Sequence, residues 1–511
     1  MDRRDFLRGA AAVGAAAALP RGLLDARGRA VPRRAPAATH APSWLDHPAS
    51  ECPVDTVVIL YLENRSFDHM LGWLGADEHY LEQGRSRFGA DFAVDAQTHA
   101  TYHLPDGTEV PTYALVGSSM ANPWRGCGHK IPGHGWNAGR TQLQHGFLAE
   151  GTGNDAFAVG YFRKEDLPLY ANLATNYVVS DAHFSSLLGE TIPNRMYIHS
   201  ATSDGLRENP GPLKVGMWKQ ETIWDRLERA GVSARFYYSD FPYLLGFGKR
   251  LSDRIVPIDR YLEDCAAGTL PNFAFICPQF GGPFQSDGHP RSDINLAQRF
   301  ALTMFRAFAE SPQWARGSFT LAHDEWGGFW DHVTPPQFAD ARASNDLADD
   351  FGQGGFRVPA ITASPWSDNG AVASEPIDHT GHMRFLEWRF LGAPARGPAS
   401  RGRGRWWLTD RDRHSANPGG ILTRTTPNLE VPFDLDLALP EITPVCFDEP
   451  ETVKLDDERA MQAHPSLVDY ASKKFPPSST ASWTDPTHAV ADPTTLGKTG
   501  PTTTTTGAGR G

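Results

Sequence analysis

Short, uninterrupted apolar runs alternate with helical patterns along most of this chain. The run TVVILYL at 56–62 is apolar on both faces, so neither face of such a strand can be left in water. Helical periodicity lies between runs of this kind, for example at Glu221–Ala230 and Asn295–Glu310. The alternation predicts an α/β fold with a mostly parallel central sheet flanked by helices. The predicted strands are Thr56–Leu62, Tyr177–Ser180, Arg235–Tyr238, Asn272–Cys277, Ser318–His323 and Val358–Ser364.

The N-terminus has the pattern of an export signal. A charged start with RRDFL at 3–7 precedes a mild apolar stretch, which is typical of twin-arginine signals and too short to span a membrane. We expect a signal peptide at 1–37, cleaved after APA at 35–37 or, as a rival site, after GRA at 28–30. The alternative is a basic, Ala-rich disordered start. The signal implies the twin-arginine translocase as a partner and a periplasmic, cell-wall-associated or secreted mature protein.

Composition suggests how the rest of the chain is divided. We expect a linker at 38–50 and one folded domain at 51–474, whose C-terminal extension begins near residue 392 in the stretch GAPARGPASRGRGR. Pro, Ser, Thr and Gly dominate 475–511, which is therefore predicted to be a disordered tail.

The chain is acidic and carries few cysteines. Its formal net charge is −12, and removing residues 1–37, which carry +5, leaves −17. A surface of this sign disfavours nucleic-acid binding and simple electrostatic docking on anionic lipid. The five cysteines are widely spaced, without a CxxC pair, so a thiolate metal site is disfavoured. An odd count allows two disulfides and one thiol, and the sequence leaves the pairing open.

Acidic and amide side chains directly follow two of the predicted strands. Glu63 and Asn64 come after the strand at 56–62, and Asp324 and Glu325 come after the strand ending at His323. Ligands of open α/β sheets bind beyond the carboxyl ends of the strands. Carboxylate and amide oxygens are hard ligands for a divalent cation, so the two pairs predict one metal site if their strands are parallel neighbours.

Helix capping is the competing interpretation of the first pair. Asn64 or Ser66 could cap a helix predicted at Phe67–Leu74, and an acid beside a helix N-terminus is ordinary. The adjacent Gly327 and Gly328 favour the metal site, because glycine permits a positive φ or a close backbone approach near a ligand.

A hydroxyl and several histidines complete the candidate chemistry. Thr191 lies in GETIPNR, where Pro193 fits the first turn of a helix and Thr191 is expected at its N-cap. Thr191 is either a cap alone or a nucleophile activated by a metal at a helix end that favours phosphate oxygens. His134, His289 and His332 lie near these segments and could bind a phosphoryl group and protonate a leaving oxygen, although each alone is more often structural.

These motifs together resemble a known family. ENRSFDH, GETIPNR, GHP and DEWGGFWDHVTPP, in this order, are similar to segments of the bacterial phosphoesterase family of phospholipases C and respiratory-burst-inhibiting acid phosphatases, within the alkaline phosphatase-like superfamily. The resemblance runs from about Val54 to Leu391, and the length and export signal resemble the single-domain phospholipases C.

The resemblance implies an alkaline phosphatase-like three-layer sandwich, one divalent metal ion whose identity the sequence leaves open, and a phosphothreonine intermediate on Thr191. His134 and His289 match histidines that contact the bound phosphoryl group, and His332 matches a third, less defined histidine. The implied metal ligands are Glu63, Asn64, Thr191, Asp324 and Glu325.

The chain also departs from the family pattern. Glu190 stands where Pro is usual and puts a negative charge beside an anionic substrate. His323 stands where Tyr is usual, and we expect it to support the metal ligands without binding the metal itself. None of the implied ligands is lost, so we expect an active enzyme.

The resulting functional prediction is a phospholipase C-type hydrolysis of phosphodiesters such as phosphatidylcholine. A broad acid phosphatase is the alternative within enzymes, and a non-catalytic exported binding protein is the alternative outside them. Aromatic residues near the motifs could cage a choline ammonium, or simply pack in the core, and transient contact with a membrane surface would accompany a lipid substrate. The aromatic residues are Trp124, Trp136, Trp326, Trp330 and Tyr238.

Overall fold

The centre of the fold is the strand that the sequence marks most clearly, Thr56–Leu62. A computed structural model describes residues 42–282, 284–397, 406–446 and 465–474. The strands of this part of the chain are β1 Thr56–Leu62, β2 Thr101–His103, β3 Glu109–Pro111, β4 Tyr113–Ala114, β5 Gly160–Tyr161, β6 Val178–Ser180, β7 His183–Phe184, β8 Ala234–Tyr238, β9 Ile255–Pro257, β10 Phe273–Cys277, β11 Gly317–His323, β12 Ala360–Ala363, β13 Val372–Ala373 and β14 Ile377–Asp378.

Helices connect most of the strands of the main sheet. They are α1 Phe67–Leu71, α2 Glu78–Phe88, α3 Trp136–His145, α4 Pro168–Asn176, α5 Thr191–Ser200, α6 Ile223–Arg229, α7 Asp259–Ala267, α8 Ile294–Ala309, α9 Thr380–Leu391, α10 Asp410–His414 and α11 Pro465–Lys474.

The main sheet is mostly parallel, as predicted. Eight of the described strands form it in the order β13-β6-β12-β11-β1-β10-β8-β9. β1 pairs in parallel with β10 on one side and with β11 on the other, whereas β12 runs antiparallel to its neighbours β11 and β6. The short pairs β14–β7, β2–β3 and β4–β5 lie outside this sheet.

Both faces of the main sheet are buried, which explains why β1 is apolar throughout. Val58, Leu60 and Leu62 pack in the layer that contains α4 and α8. The alternate residues, Val57, Ile59 and Tyr61, pack in the layer that contains α6 and α9. Successive side chains of a strand point to opposite faces, so two helical layers require an apolar residue at every position. The predicted three-layer α/β sandwich is therefore confirmed.

One predicted helix is shorter than expected. The helix predicted at Phe67–Leu74 ends at Leu71 and tightens into a 3₁₀ helix at Gly72–Ala76. A Cβ at Gly72 would lie 2.3 Å from the carbonyl oxygen of Gln97. The tighter turn and the missing side chain together allow this close approach of two backbone segments.

The chain beyond residue 429 crosses the surface as a strap, defined here as residues 430–446. It forms no strand, but its alternate side chains pack against the core around α8. Its end is fastened by the disulfide Cys127–Cys446 and by Thr443, whose N–H and hydroxyl both donate to Asp293 Oδ2 at 2.7 and 2.6 Å. The packing side chains are Val431, Phe433, Leu435, Leu437 and Leu439.

A buried ion-pair cluster joins α1 to the loop after β11. Arg357 Nε lies 2.9 Å from Asp331 Oδ1, and Arg357 Nη2 lies 3.2 Å from Asp68 Oδ1. His332 Nδ1 donates to Asp68, and His332 Nε2 donates to Asp95 Oδ1 at 2.8 Å. Ligand atoms of Asp68, Asp331 and His332 lie within 4.8 Å of one another, as in a metal site. Arg357 and protonated His332 together balance the charges of Asp68 and Asp331, so we interpret the cluster as structural.

Several sequence predictions fall outside the described residues. The signal peptide at 1–37, both candidate cleavage sites and the tail at 475–511 lie there. Residues 398–405, which make up most of the Gly/Arg-rich stretch that begins at residue 392, lie there too. The boundaries of the linker at 38–50 and of the domain at 51–474 stay predictions. Among the described helices, none has the length and apolar character needed to cross a membrane.

The disulfide predicts a specific thiol count. Cys127 and Cys446 are bonded, whereas Cys52, Cys265 and Cys277 are free and buried. The unreduced protein, unfolded in guanidinium, should therefore react with three equivalents of a thiol reagent and with five after reduction. The double substitution of Cys127 and Cys446 by Ser should lower the free energy of unfolding by about 2–4 kcal/mol, because the bond closes a long loop of the unfolded chain.

Reductant provides the control for this prediction. It should lower the stability of the wild type and leave the double variant unchanged. Five reactive thiols in the unreduced unfolded protein would contradict the pairing.

The cluster around His332 predicts a pH-dependent stability. Burial by itself lowers the pKa of His332, but the hydrogen bonds to Asp68 and Asp95 outweigh it and raise the pKa from 6.5 to about 10. The folded state therefore holds a proton that the unfolded state releases. This contribution, on the order of 5 kcal/mol, is complete below pH 6.5 and disappears as the pH rises to about 10.

Urea denaturation of the wild type and of His332→Gln at pH 6, 8 and 10 measures this contribution. The stability difference between the two proteins should shrink as the pH rises. A difference that stays constant over this range would show that His332 is not charged in the folded protein.

Candidate active site

The two acidic strand ends meet at one edge of the sheet. Leu62 of β1 lies opposite His323 of β11 in parallel register, so Glu63 and Asp324 leave the sheet side by side. The Asp324 N–H donates to the Leu62 carbonyl at 3.1 Å, and the Asn64 N–H donates to Asp324 Oδ1 at 3.3 Å. The carboxylates and the amide are buried. The structure thus brings together both pairs that the sequence predicted as metal ligands.

The backbone at Asn64 is held in an unusual conformation by a glycine. Asn64 has a φ of +58°, in the left-handed region, and Gly327 and Gly328 have φ of +64° and +72°. A Cβ at Gly327 would lie 2.1 Å from the carbonyl oxygen of Asn64, so this approach requires glycine. Both roles proposed for the glycine pair, a positive φ and a close approach, are confirmed.

Thr191 faces Asn64 across the site. It is the first residue of α5, and its Oγ1 donates to Asn64 Oδ1 at 3.4 Å. Thr191 was expected at the N-cap, but Glu190 occupies that position, so the prediction was wrong by one residue. Asn194 bonds the carbonyls of Leu187 and Gly189 with its amide, and this fixes the turn that delivers Thr191.

Arg195 lies between the two carboxylate pairs and was not singled out from the sequence. Its Nη2 lies 2.9 Å from Glu63 Oε1, and its Nε lies 3.0 Å from Asp324 Oδ2. Arg195 follows Thr191 by four residues, so both side chains project from the same face of α5. The spacing of Thr191 and Arg195 within GETIPNR could have predicted this position, because a cluster of carboxylates at strand ends needs a nearby cation.

The buried acids are not neutralised by Arg195 alone. Burial raises the pKa of Glu63 well above its usual value, and the charge of Asp324 raises it further. Burial likewise raises the pKa of Asp324, while Arg195 partly opposes this shift. With Glu325 also buried, the acids outnumber this cation, and proximity of like charges is costly in a dry site. Hard oxygen donors with excess negative charge fit a divalent cation held by Glu63, Asn64, Asp324 and Glu325.

His134 approaches the same cluster from the loop before α3. Its Nδ1–H donates to the Pro132 carbonyl at 2.8 Å, which fixes the tautomer and directs Nε2 to the site. Nε2 accepts from the Asn64 amide at 3.3 Å and lies 3.8 Å from Glu325 Oε1. Its predicted contact with a phosphoryl group stays a prediction.

His289 is placed beside His134 by a loop built on Asp287. The Asp287 carbonyl accepts the Glu63 N–H at 2.7 Å, and Asp287 Oδ1 accepts the His289 N–H at 3.0 Å. His289 Nδ1–H donates to the Pro290 carbonyl at 2.7 Å, and the His289 and His134 rings have centroids 6.4 Å apart. Asp287 was missed from the sequence, although it lies two residues before His289 in SDGHP.

Two further histidines donate hydrogen bonds to the backbone carbonyls of the residues that follow β1 and β11. His323 Nδ1–H donates to the Glu63 carbonyl at 3.1 Å, and burial lowers its pKa to about 3, so the ring is neutral. His379 Nε2–H donates to the Asp324 carbonyl at 2.5 Å, while its Nδ1 lies 3.3 Å from the hydroxyl of Tyr61. The sequence suggested such a supporting position for His323 but gave no signal for His379.

His332 is separate from this group. Its hydrogen bonds, within the described part of the chain, go to the Asp68 cluster and not to the residues around Thr191. Its predicted catalytic role stays a prediction without a supporting contact.

The aromatic residues near the motifs pack within the protein. Trp326 and Trp330 are fully buried, and the Trp136 ring is covered by Arg140 and Arg207, whose guanidinium carbons lie 3.2 and 4.7 Å from its centroid. Trp124 stacks on Phe162. These contacts favour the packing interpretation over a choline cage.

Comparison with known proteins gives a family match with the bounds that the sequence motifs predicted. The phosphoesterase family matches residues 54–391, and the twin-arginine translocation pathway signal sequence matches residues 1–20, which confirms the predicted export route. The chain is 27% identical over 447 residues to non-specific phospholipase C5 of Arabidopsis thaliana, covering 83% of this chain and 84% of the relative. It is 28% identical over 406 residues to phospholipase C A of Mycobacterium tuberculosis, covering 68% and 75%.

Similarity to solved structures is weaker. A protein in the alkaline phosphatase superfamily from Vibrio parahaemolyticus aligns at 11% identity with a TM-score of 0.28, over 53% of this chain and 71% of that chain. A score this low supports no argument. The family match, in contrast, spans the main sheet, both carboxylate pairs and the helix of Thr191. The chain therefore belongs to the phosphoesterase family and is a hydrolase that acts on phosphoric ester bonds.

Proposed function

We propose that the protein is an exported, metal-dependent phospholipase C-type phosphodiesterase that uses Thr191 as its nucleophile. The observation that carries the proposal is the position of Thr191 Oγ1, 3.4 Å from Asn64 Oδ1 and beside buried Glu63, Asp324 and Glu325. The relatives named phospholipase C support the diester substrate class.

The nucleophile is positioned by rigid elements. Thr191 lies at the N-terminus of α5, where backbone N–H groups and the helix dipole favour the oxygens of a phosphoryl group. A divalent cation held by the oxygens of Glu63, Asn64, Asp324, Glu325 and Thr191 would lower the pKa of the threonine hydroxyl, so that its proton is released to solvent before attack, and would neutralise phosphoryl charge. In-line attack forms the Thr191 Oγ–phosphorus bond and breaks the bond from phosphorus to the alcohol oxygen.

His134 and His289 are the residues proposed to contact the phosphoryl oxygens and the departing alcohol. Both rings have their Nδ1 committed to a backbone carbonyl, so Nε2 of His134 and of His289 is the nitrogen that serves the substrate. We assign His289, protonated on both ring nitrogens, to give its Nε2 proton to the leaving oxygen, and His134 to contact the phosphoryl group. Water then hydrolyses the phosphothreonine, with His289 accepting a proton. For phosphatidylcholine the products are diacylglycerol and phosphocholine.

The runner-up is a broad acid phosphatase, because the same residues could cleave a monoester. A non-catalytic binding protein is disfavoured, since the sequence retains each residue that the proposed mechanism needs. Brief contact with a membrane surface is expected for a lipid substrate, and the identity of the cation is left to measurement.

Removal of the nucleophile gives the first test of this function. Thr191→Ala should lower kcat for p-nitrophenylphosphorylcholine by at least about 10³-fold, because the hydroxyl that attacks phosphorus is gone. Thr191→Ser keeps a hydroxyl and should retain measurable turnover. The purified mature protein, assayed with p-nitrophenyl phosphate in parallel, also separates diester from monoester preference.

The outcomes of this test are distinct. Turnover by Thr191→Ala close to that of the wild type would reject Thr191 as the nucleophile. Hydrolysis of neither substrate by the wild type would favour the binding-protein alternative.

The cation should also stabilise the fold. The buried acids repel one another, so a bound divalent ion that offsets their charge raises the free energy of unfolding. Chelation should lower the thermal midpoint of the wild type by several degrees and abolish turnover, and adding the metal back should restore both. Glu63→Gln removes one ligand charge and should weaken the metal-dependent rise in midpoint.

The matched control is Asp68→Asn in the separate ion-pair cluster. Its thermal midpoint should be lower, but its response to chelator should equal that of the wild type. A response to chelator that is lost in Asp68→Asn and kept in Glu63→Gln would place the metal in the wrong cluster and contradict the assignment.

A further inference from the structure

We propose that the strap end, residues 440–446, is a positioning element for His289, and that full activity requires the disulfide Cys127–Cys446 that fastens it. This role rests on the proposed function, because His289 is the residue assigned to protonate the leaving oxygen. Two hydrogen-bonded segments connect the disulfide to the histidine: the loop that carries His289, and the segment around Arg125 that lies against this loop.

The loop that carries His289 has a backbone conformation that other segments must hold. Arg291, two residues after His289, has a φ of +88°, in the left-handed region that residues other than glycine rarely adopt. Ser292 folds the loop, because its N–H and its hydroxyl both donate to the His289 carbonyl, at 3.0 and 2.9 Å. A strained residue keeps its conformation only where the surrounding contacts fix it, so the position of this loop depends on its neighbours.

Arg125 makes contacts that fix the strained residue. The Arg291 N–H donates to the Arg125 carbonyl at 2.9 Å, and Arg125 Nη1 donates to the Arg291 carbonyl at 3.1 Å. The neighbouring Trp124 carbonyl accepts the N–H of Ile294, the first residue of α8, at 3.3 Å. The segment around Arg125 therefore holds the loop both at Arg291 and where the loop enters the helix.

The strap end holds Arg125 in turn. Arg125 Nη2 and Nε donate to the Thr443 carbonyl at 2.9 and 3.2 Å. Thr443 also donates twice to Asp293, which is the N-cap residue of α8. The disulfide lies two residues beyond Arg125 and three beyond Thr443, so it joins the two segments directly beside these hydrogen bonds.

The covalent bond matters because the strap end is otherwise easy to open. Residues 440–446 form no helix or strand and are half-buried or exposed, and segments of this kind open locally at a low cost in free energy. Opening would take the Thr443 carbonyl away from Arg125 and allow Arg291 to relax, which would move His289. A displacement of about 1 Å in a catalytic group can lower a rate by about 10²-fold.

Export takes the two cysteines to a compartment where this bond forms. Thiols are kept reduced in the cytoplasm, whereas disulfides persist in the periplasm and outside the cell. The twin-arginine signal sends the chain across that boundary. There the thiols of Cys127 and Cys446 lose two electrons and two protons to a disulfide oxidant, which is reduced to two thiols. Full activity therefore appears only after export.

The leaving group of the substrate separates positioning of His289 from a general loss of structure. Dihexanoyl phosphatidylcholine releases an alcohol whose oxygen needs a proton, whereas p-nitrophenylphosphorylcholine releases a stable phenolate. The ratio of kcat/KM for the first substrate to that for the second should fall roughly tenfold in the double variant Cys127→Ser/Cys446→Ser. Reduction of the wild type with a phosphine should lower the ratio equally. Unfolded molecules hydrolyse neither substrate, so partial unfolding alone leaves the ratio unchanged.

Two variants serve as controls. Asp436→Asn is the matched control on the same strap, because it removes an exposed ion pair with Arg306 that lies outside the strap end, and it should leave the ratio unchanged. His289→Gln should lower the ratio by itself, and reduction should not lower it further in that variant.

The possible outcomes are distinguishable. A ratio that is the same in the oxidised wild type, the reduced wild type and the double variant would overturn the inference. A further fall in the ratio when His289→Gln is reduced would also overturn it, because the disulfide would then act through another group. Hydrolysis of neither diester by the oxidised wild type would instead overturn the proposed function.

Discussion

The parallel pairing of β1 with β11 is the constraint on which the rest of the structure depends. Because Leu62 lies opposite His323, the polar residues that follow each strand emerge together at one edge of the sheet. A shift of one residue in this register would turn the alternating side chains of β1 to the wrong helical layer. The apolar packing of the sandwich and the geometry of the site are therefore fixed by the same pairing.

The site concentrates negative charge in a place that a stable core would avoid. Burying Glu63, Asp324 and Glu325 costs free energy. The two ion pairs that Arg195 forms with Glu63 and Asp324 do not recover this cost. Neutral His323 behind the strand end adds a hydrogen bond but no charge. The carboxylate cluster is thus a destabilising element at the place where a cation and a phosphoryl group are proposed to bind, and the surrounding sandwich holds it in position.

Sequence reasoning found the parts of the site that local patterns encode. Continuous apolar runs identified the strands, and the residues after them identified the carboxylate pairs, because both follow from buried strands with short polar ends. Arg195, Asp287 and His379 were missed, since each acts through contacts between segments that are distant along the chain. The N-cap was misplaced by one residue because Thr is a favoured N-cap residue and Glu is not, whereas the turn fixed by Asn194 puts Glu190 at that position.

The most direct test of the central claim is to trap the covalent intermediate. The wild type is mixed with p-nitrophenylphosphorylcholine, quenched in acid within milliseconds, digested and analysed by mass spectrometry. The account predicts a phosphocholine group on the peptide that contains Thr191, and no such group on the same peptide of Thr191→Ala. Full turnover with an unmodified Thr191 peptide would contradict the account.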